Sequence, residues 1–98
     1  MNIQAMMKQA QAIQKDMMKA KAEIDAKTYE GKSSFVTVNV KGSKEIESVI
    51  IDKDSLDKDD IEMLQDLIVV ATNDAMKQID KETESKLGKY TQGMPGLF

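Results

Sequence analysis

The stretch MMKAKAEIDAKTYEGKSSFVTVNV, residues 17–40, decides the fold, because the spacing of its apolar side chains changes at Lys27. Before that point apolar residues recur at steps of three and four, which is helical spacing; after it they alternate with polar ones, which is strand spacing. Thr28, Tyr29 and Glu30 favour an extended strand ending at Gly31, and Lys32, Ser33 and Ser34 form a connection of small residues. Phe35 to Val40 reads as a strand, with Val36, Val38 and Val40 on one face and Phe35, Thr37 and Asn39 on the other.

Working back from Ala26, one helix spans residues 1–26, with Asn2 as its cap. Ile3, Met6, Ala10, Ile13, Met17, Ala20 and Ile24 form an unbroken heptad seam. At about 1.5 Å per residue such a helix is roughly 36 Å long, more than a small sheet covers, so part of it must project or lie on a partner. Gln4, Lys8, Gln11, Lys15 and Lys19 follow one another at the same spacing away from the seam and line up as a polar stripe without an acid. Asp16 and Glu23 fall beside the seam, where Asp16 is placed to pair with Lys21 of a parallel partner helix. Met7 and Met18 lie off the seam and are expected to pack in the core.

Downstream, Lys41, Gly42, Ser43 and Lys44 make a turn, and Ile46 to Ile51 returns as a third strand of an antiparallel meander over residues 27–52. Val49, Ile50 and Ile51 are apolar on both faces, which predicts burial from two sides. The acidic loop from Asp52 to Asp60 invites a calcium reading, but an EF-hand begun at Asp52 needs Gly and Glu where Asp57 and Met63 stand. Asp57 is better read as the cap of a second helix over 57–88, with Asp59, Asp60 and Glu62 against the positive end of its dipole. Ile61, Leu64, Ile68, Ala71, Ala75 and Ile79 make its buried stripe, which Leu67, Val69 and Val70 widen. Past Ile79 the helix turns polar and is expected to leave the core, with Gly88 closing it. Residues 89–98 carry no periodicity and read as a flexible tail, with Met94, Leu97 and Phe98 available for local docking.

The expected fold is therefore α+β, a single two-layer domain in the order α-β-β-β-α. A chain of 98 residues has a limited core that pairing with a second copy would extend, so a homodimer is expected. Cysteine and histidine are both absent, which removes disulfides, thiolate metal sites and every nucleophile–imidazole pair. No acid–base pair, phosphate cradle or metal set is nominated, so an enzyme, a cofactor and a small-molecule substrate are not expected. No run approaches the roughly 18 apolar residues of a membrane span, and Gln and Lys break the N-terminal stretch as a signal peptide would not, which gives a cytosolic address. The net charge of −3 is unevenly spread: four lysines against two acids make residues 1–24 positive by two. Phosphate contact needs only such a local stripe.

The chain resembles the YbaB/EbfC family of bacterial nucleoid-associated proteins. The similar parts are MMKQAQAIQKDM at 6–17, YEGK at 29–32, VTVNVKG at 36–42, IIDKDSLDKDDIEMLQDLIVVATNDAM at 50–76 and MPGLF at 94–98. They cover nearly the whole chain in the family's order. Two departures stand out: Lys32, Ser33, Ser34 and Phe35 replace the glycines common in that loop, and arginine is absent throughout. The resemblance implies a homodimer that binds double-stranded DNA in the nucleoid. Gln4, Lys8, Gln9, Gln11, Lys15 and Lys19 are the expected contacts, with Lys86 and Lys89 adding to them. Because Arg is the bidentate reader of guanine and Lys acts as a point charge, the residue set points to phosphates more than to sequence. The alternatives are a protein–protein adaptor built on the Met-rich helix and, behind it, a membrane-surface helix, for which Ala10 and Ala20 are small and the cationic face is sparse.

Overall fold

The structure is a computed structural model that describes residues 2–91. Helix α1 (Ile3–Ala26) leads into strands β1 (Thr28–Ser33), β2 (Val36–Lys41) and β3 (Ile46–Ile51), and the chain closes with helix α2 (Lys58–Thr91). The strands form an antiparallel sheet in the order β1-β2-β3. This is the α-β-β-β-α meander that the periodicities predict. Asn2 caps α1, its Oδ1 accepting from the backbone N–H of Gln4 and Ala5 at 3.1 and 3.3 Å. Asp57 caps α2 in a reciprocal arrangement. Its Oδ1 accepts from the N–H of Asp59 and Asp60, while Asp60 Oδ2 accepts from the N–H of Asp57 at 3.1 Å. That backbone bond, with Lys53 Nζ 3.1 Å away, lowers the Asp60 carboxyl below its usual range.

Helix α2 lies over β1 and β2 but not over β3. Val36, Val38 and Val40 point up into it and are fully buried with Tyr29, Ala71, Ala75, Ile79 and Leu87. Gly31 sets the distance: a Cβ there would sit 1.9 Å from the Ala71 carbonyl oxygen, so only glycine lets the helix backbone descend onto β1. The strand does not end at Gly31 but runs through it to Ser33, and Phe35 falls in the hairpin turn, with Ser34 at φ 52°. A second close approach occurs at Gly42, where a Cβ would meet the Ile24 carbonyl oxygen at 1.8 Å, and this seats the end of α1 on the β2–β3 turn.

Several expectations are corrected. Strand β3 is not buried from two sides: Val49 and Ile50 are 43% and 51% exposed, because α2 stops short of that strand. In α2, only the part facing the sheet is enclosed; Ile61, Val69 and Val70 are more than half exposed. The polar end of α2 does not leave the core, since Leu87 is buried and α1 packs beside it. Gly88 is inside the helix, which continues to Thr91. Met7 and Met18 are not core residues; they are 57% and 62% exposed. The part of the expected tail from residue 92 onward, including Met94, Leu97 and Phe98, lies outside the described residues.

Gly31→Ala and Gly42→Ala each force a side chain into backbone that cannot give way. Each variant is expected to lose about 2–3 kcal/mol, read as a fall in Tm of roughly 10–20 °C by circular dichroism. An unchanged Tm would show that α2 or α1 shifts freely at these contacts.

Candidate nucleic-acid interface

Helix α1 is held at its C-terminal end only. Met17, Ala20 and Ile24 pack on the core, while Ile3, Met6 and Ile13 on the same seam are 70%, 53% and 48% exposed. The reason is direction. Helix α2 runs antiparallel to β1, with Ala71 against Gly31 and Glu82 beside Tyr29 and Lys27. Its last turns therefore reach past the start of β1 and lie alongside α1, with Lys21, Ile24, Thr83 and Leu87 lining the groove between the two helices. The start of α1 extends beyond them, and the molecule is drawn out to 71 Å in a body 21 by 15 Å across.

With the seam turned toward α2 and the sheet, the stripe is turned away. Steps of about 100° per residue put Gln4, Lys8, Gln11, Lys15 and Lys19 on the side opposite the seam. All five are exposed. Gln4, Lys8 and Gln11 line one shallow depression together with Asn2, Ala5 and Met7. Gln9 is exposed as well but sits about 100° around the helix from Lys8, off the stripe. Among the described residues no ion pair engages Lys8, Lys15 or Lys19, although Asp16 and Glu23 stand three and four residues from Lys19. Lys21 is engaged differently from the expectation that set it against Asp16 of a partner: within the chain it pairs with Asp25 at 3.0 Å.

The two lysines expected to add contacts from α2 are partly engaged. Lys86 Nζ lies 3.7 Å from Glu82, and Lys89 Nζ stands 5.0 Å over the ring of Tyr90. Glu82 is the centre of a network that the sequence does not announce. It accepts from the Tyr29 hydroxyl and pairs with Lys27 at 3.1 Å. Its partners are 53 and 55 residues away in the chain, so no local pattern could have found them. The Tyr29 hydroxyl bond, and then the Lys27 ammonium, hold the Glu82 carboxyl below its usual range against the burial that opposes them. Burial and then Glu82 push the Tyr29 phenol up to about 12.

The uncovered apolar surface is the other feature of the site region. Register pairs Val36 with Ile51, Val38 with Val49 and Val40 with Ile46, so these β3 residues share the helix-side face of the sheet with the buried valines. Yet Ile46 and Ile51 are 52% and 37% exposed. Earlier in α2, Leu64 and Ile68 still pack against the core, whereas Ile61, one turn before Leu64, is 52% exposed. The run of apolar residues on both faces of β3 was the visible signal; what it signalled was an uncovered surface in the single chain.

The sequence profile described as the YbaB/EbfC DNA-binding family matches residues 1–94. A nucleoid-associated protein of Enterococcus faecalis is 46% identical over 98 residues, covering 98% of this chain and 94% of that protein. One from Lactococcus lactis subsp. cremoris is 48% identical over 97 residues, covering 97% and 98% of the two chains. One from Oceanobacillus iheyensis is 48% identical over 101 residues, covering 99% and 97%.

The raised Tyr29 phenol fixes the sign of an alkaline effect. Folding favours its protonated form, so the stability it contributes is complete below its ordinary value of 10.0 and is lost as pH rises through about 12. Urea unfolding of wild type and Tyr29→Phe across that window should show a loss in the wild type that the variant largely lacks. Parallel curves would remove Tyr29 as the titrating group. At the acid end the depressed Glu82 carboxyl contributes stability that is lost as pH falls through its folded value.

Proposed function

The chain belongs to the YbaB/EbfC DNA-binding family, and we propose that it binds double-stranded DNA as a homodimer, through phosphate contacts on the stripe of α1. The observation that carries the reading is the set of three exposed lysines without an ion-pair partner among the described residues, Lys8, Lys15 and Lys19, on the side of α1 opposite its packing seam. Their neighbours Gln4 and Gln11 donate and accept hydrogen bonds to phosphates or base edges. Gln9 serves on the flank of the helix, and Lys86 and Lys89 add to the field from α2, Lys86 by exchanging Glu82 for a phosphate. Glutamine and lysine give weak discrimination among bases, so binding is set by charge and shape more than by sequence. The relatives' designation as nucleoid-associated proteins supports the nucleoid as the place of action. No helix among the described residues is long and apolar enough to cross a membrane.

The second copy is supported by the bare face of β3. Ile46, Val49 and Ile51 of β3 are 52%, 43% and 37% exposed, and Ile61 in the first turn of α2 is 52% exposed; apolar side chains gathered in this way mark an interaction surface. The edge of β1, in contrast, is closed by α2: Gln78 Nε2 donates to the Glu30 carbonyl at 2.7 Å, and Asp74 Oδ2 accepts from the Lys32 N–H at 3.3 Å. Pairing is thereby directed to β3. A dimer presents two α1 stripes.

If a dimer neutralises about five phosphates, the logarithm of its affinity falls with the logarithm of salt at a slope near −4 to −5. Gel-shift titration on a random duplex at several salt concentrations measures this. The triple change Lys8→Glu, Lys15→Glu and Lys19→Glu should abolish the shift while leaving the circular dichroism spectrum unchanged. Retained binding would move the interface off α1. For the dimer, Val49→Asp with Ile51→Asp should halve the mass found by sedimentation equilibrium, and an unchanged mass would place the second copy elsewhere.

A further inference from the structure

One repeated feature of α1 is not accounted for by packing or by charge. The triplet Met-Met-Lys occurs at residues 6–8 and again at 17–19, eleven residues apart. Eleven residues are about three helical turns, so Met7 and Met18 stand above one another on one side of α1, about 16 Å apart along its axis. Both are well exposed, at 57% and 62%, whereas Met17 in the same second triplet packs on the core. Met7 shares the depression lined by Gln4, Lys8 and Gln11. Met18 is one turn from Lys15 on the stripe, and on its other flank Lys21 and Asp25 neutralise each other.

We infer that Met7 and Met18 are apolar wedges that press between base steps of a duplex held on the Lys8–Lys19 stripe and bend it. The inference rests on the DNA-binding reading above and deepens it. Charge selects the occupant of this face. The methionines border three unpaired ammonium groups and no acid of the stripe, so a polyanion is drawn to the surface on which they stand. An apolar protein surface laid over the same residues would have to strip water from those ammonium groups without compensation. Among polyanions, a stacked duplex can also use an apolar side chain, because a wedge driven between base pairs unstacks one step and kinks the helix axis. Methionine suits this role because it is unbranched and flexible, and its thioether is polarisable against a base face. Two wedges in phase on one rigid helix act on the same side of the duplex and bend it in one direction.

The test uses a short duplex carrying donor and acceptor dyes at its two ends, titrated with the full chain. Wild type is expected to raise energy transfer on binding. The double variant Met7→Ala with Met18→Ala should still bind, with the same salt slope but roughly tenfold weaker, and should fail to raise energy transfer. Met7→Leu with Met18→Leu should restore the signal. Wild-type binding without a rise, or an equal rise with the alanine variant, overturns the wedges while leaving the DNA-binding reading intact. Absence of wild-type binding at low salt overturns both. A drop in the sedimenting mass of the alanine variant without DNA would assign the methionines to a contact between copies and overturn the wedges as well.

Discussion

The structure depends on backbone meeting backbone at Gly31. A helix carrying alanines at 71 and 75 can settle onto a strand only where that strand lacks a side chain, and the 1.9 Å that a Cβ would leave to the Ala71 carbonyl oxygen allows no other residue without displacement. Once α2 is settled there, the rest follows. The valines of β2 find their cover, and Asp74 and Gln78 come within reach of the β1 edge. The helix axis, fixed over β1 and β2, cannot also shelter β3. Its direction, opposite to β1, carries its last turns past the sheet to the place where α1 must seat, and Gly42 repeats the device there against the Ile24 carbonyl. Two glycines thus set both helix positions, and the projecting half of α1 is a consequence of where the second one holds it.

The same contact limits the core. The nine buried apolar residues of the described chain are outnumbered by its fourteen exposed large ones, from Ile3 and Met6 to Val69 and Val70. Side chains of that kind scattered singly need no account, but these collect on β3, on the first turns of α2 and along α1. Small domains bury a modest fraction of their surface, and an apolar strand left bare by its own helix is the physical case for a second copy. The two collections differ in kind. The one on β3 continues the face of a sheet and has no charge among its inward residues; the one on α1 is interleaved with glutamine and lysine.

Element order, the register-setting alternation of Val36, Val38 and Val40, and both helix caps were legible because each is a local property of consecutive residues. What escaped was non-local. The three-residue β1 expected from Thr28 to Glu30 stopped at Gly31 because glycine usually ends a strand, whereas here it serves a helix forty residues away. Gly88 reads as a helix terminus for the same reason, yet the packing of Leu87 and Tyr90 against the core carries the helix through it. The Tyr29–Glu82–Lys27 network joins residues from distant parts of the chain and leaves no trace in spacing. Of the candidate contacts, the α1 stripe could be seen as a stripe, since periodicity alone defines it. That Gln9 stands off it is also in the periodicity. That Lys86 is held by Glu82 is not.

Charge distribution explains how a protein of net charge −3 can carry a locally cationic face on α1. Lys21, Lys27, Lys44, Lys53 and Lys86 each lie against an acid, and five of the positive charges are thereby neutralised where they stand. The excess acid gathers at the opposite end of the molecule, in the loop from Asp52 to Asp60 and the first turn of α2, where Asp57 and Asp60 are occupied in capping and Lys53 offsets one of them. Distance then matters more than the total. At physiological salt a charge is felt over about 8 Å, so acids at the far end of an elongated chain do little to a phosphate lying on α1. A compact molecule of the same composition would present its acids within that range. The extension of α1 beyond α2, which began as a consequence of the glycine contacts, therefore also sets the start of the lysine stripe far from the acidic loop, and leaves Asp16 and Glu23 as the acids nearest to it on α1 itself.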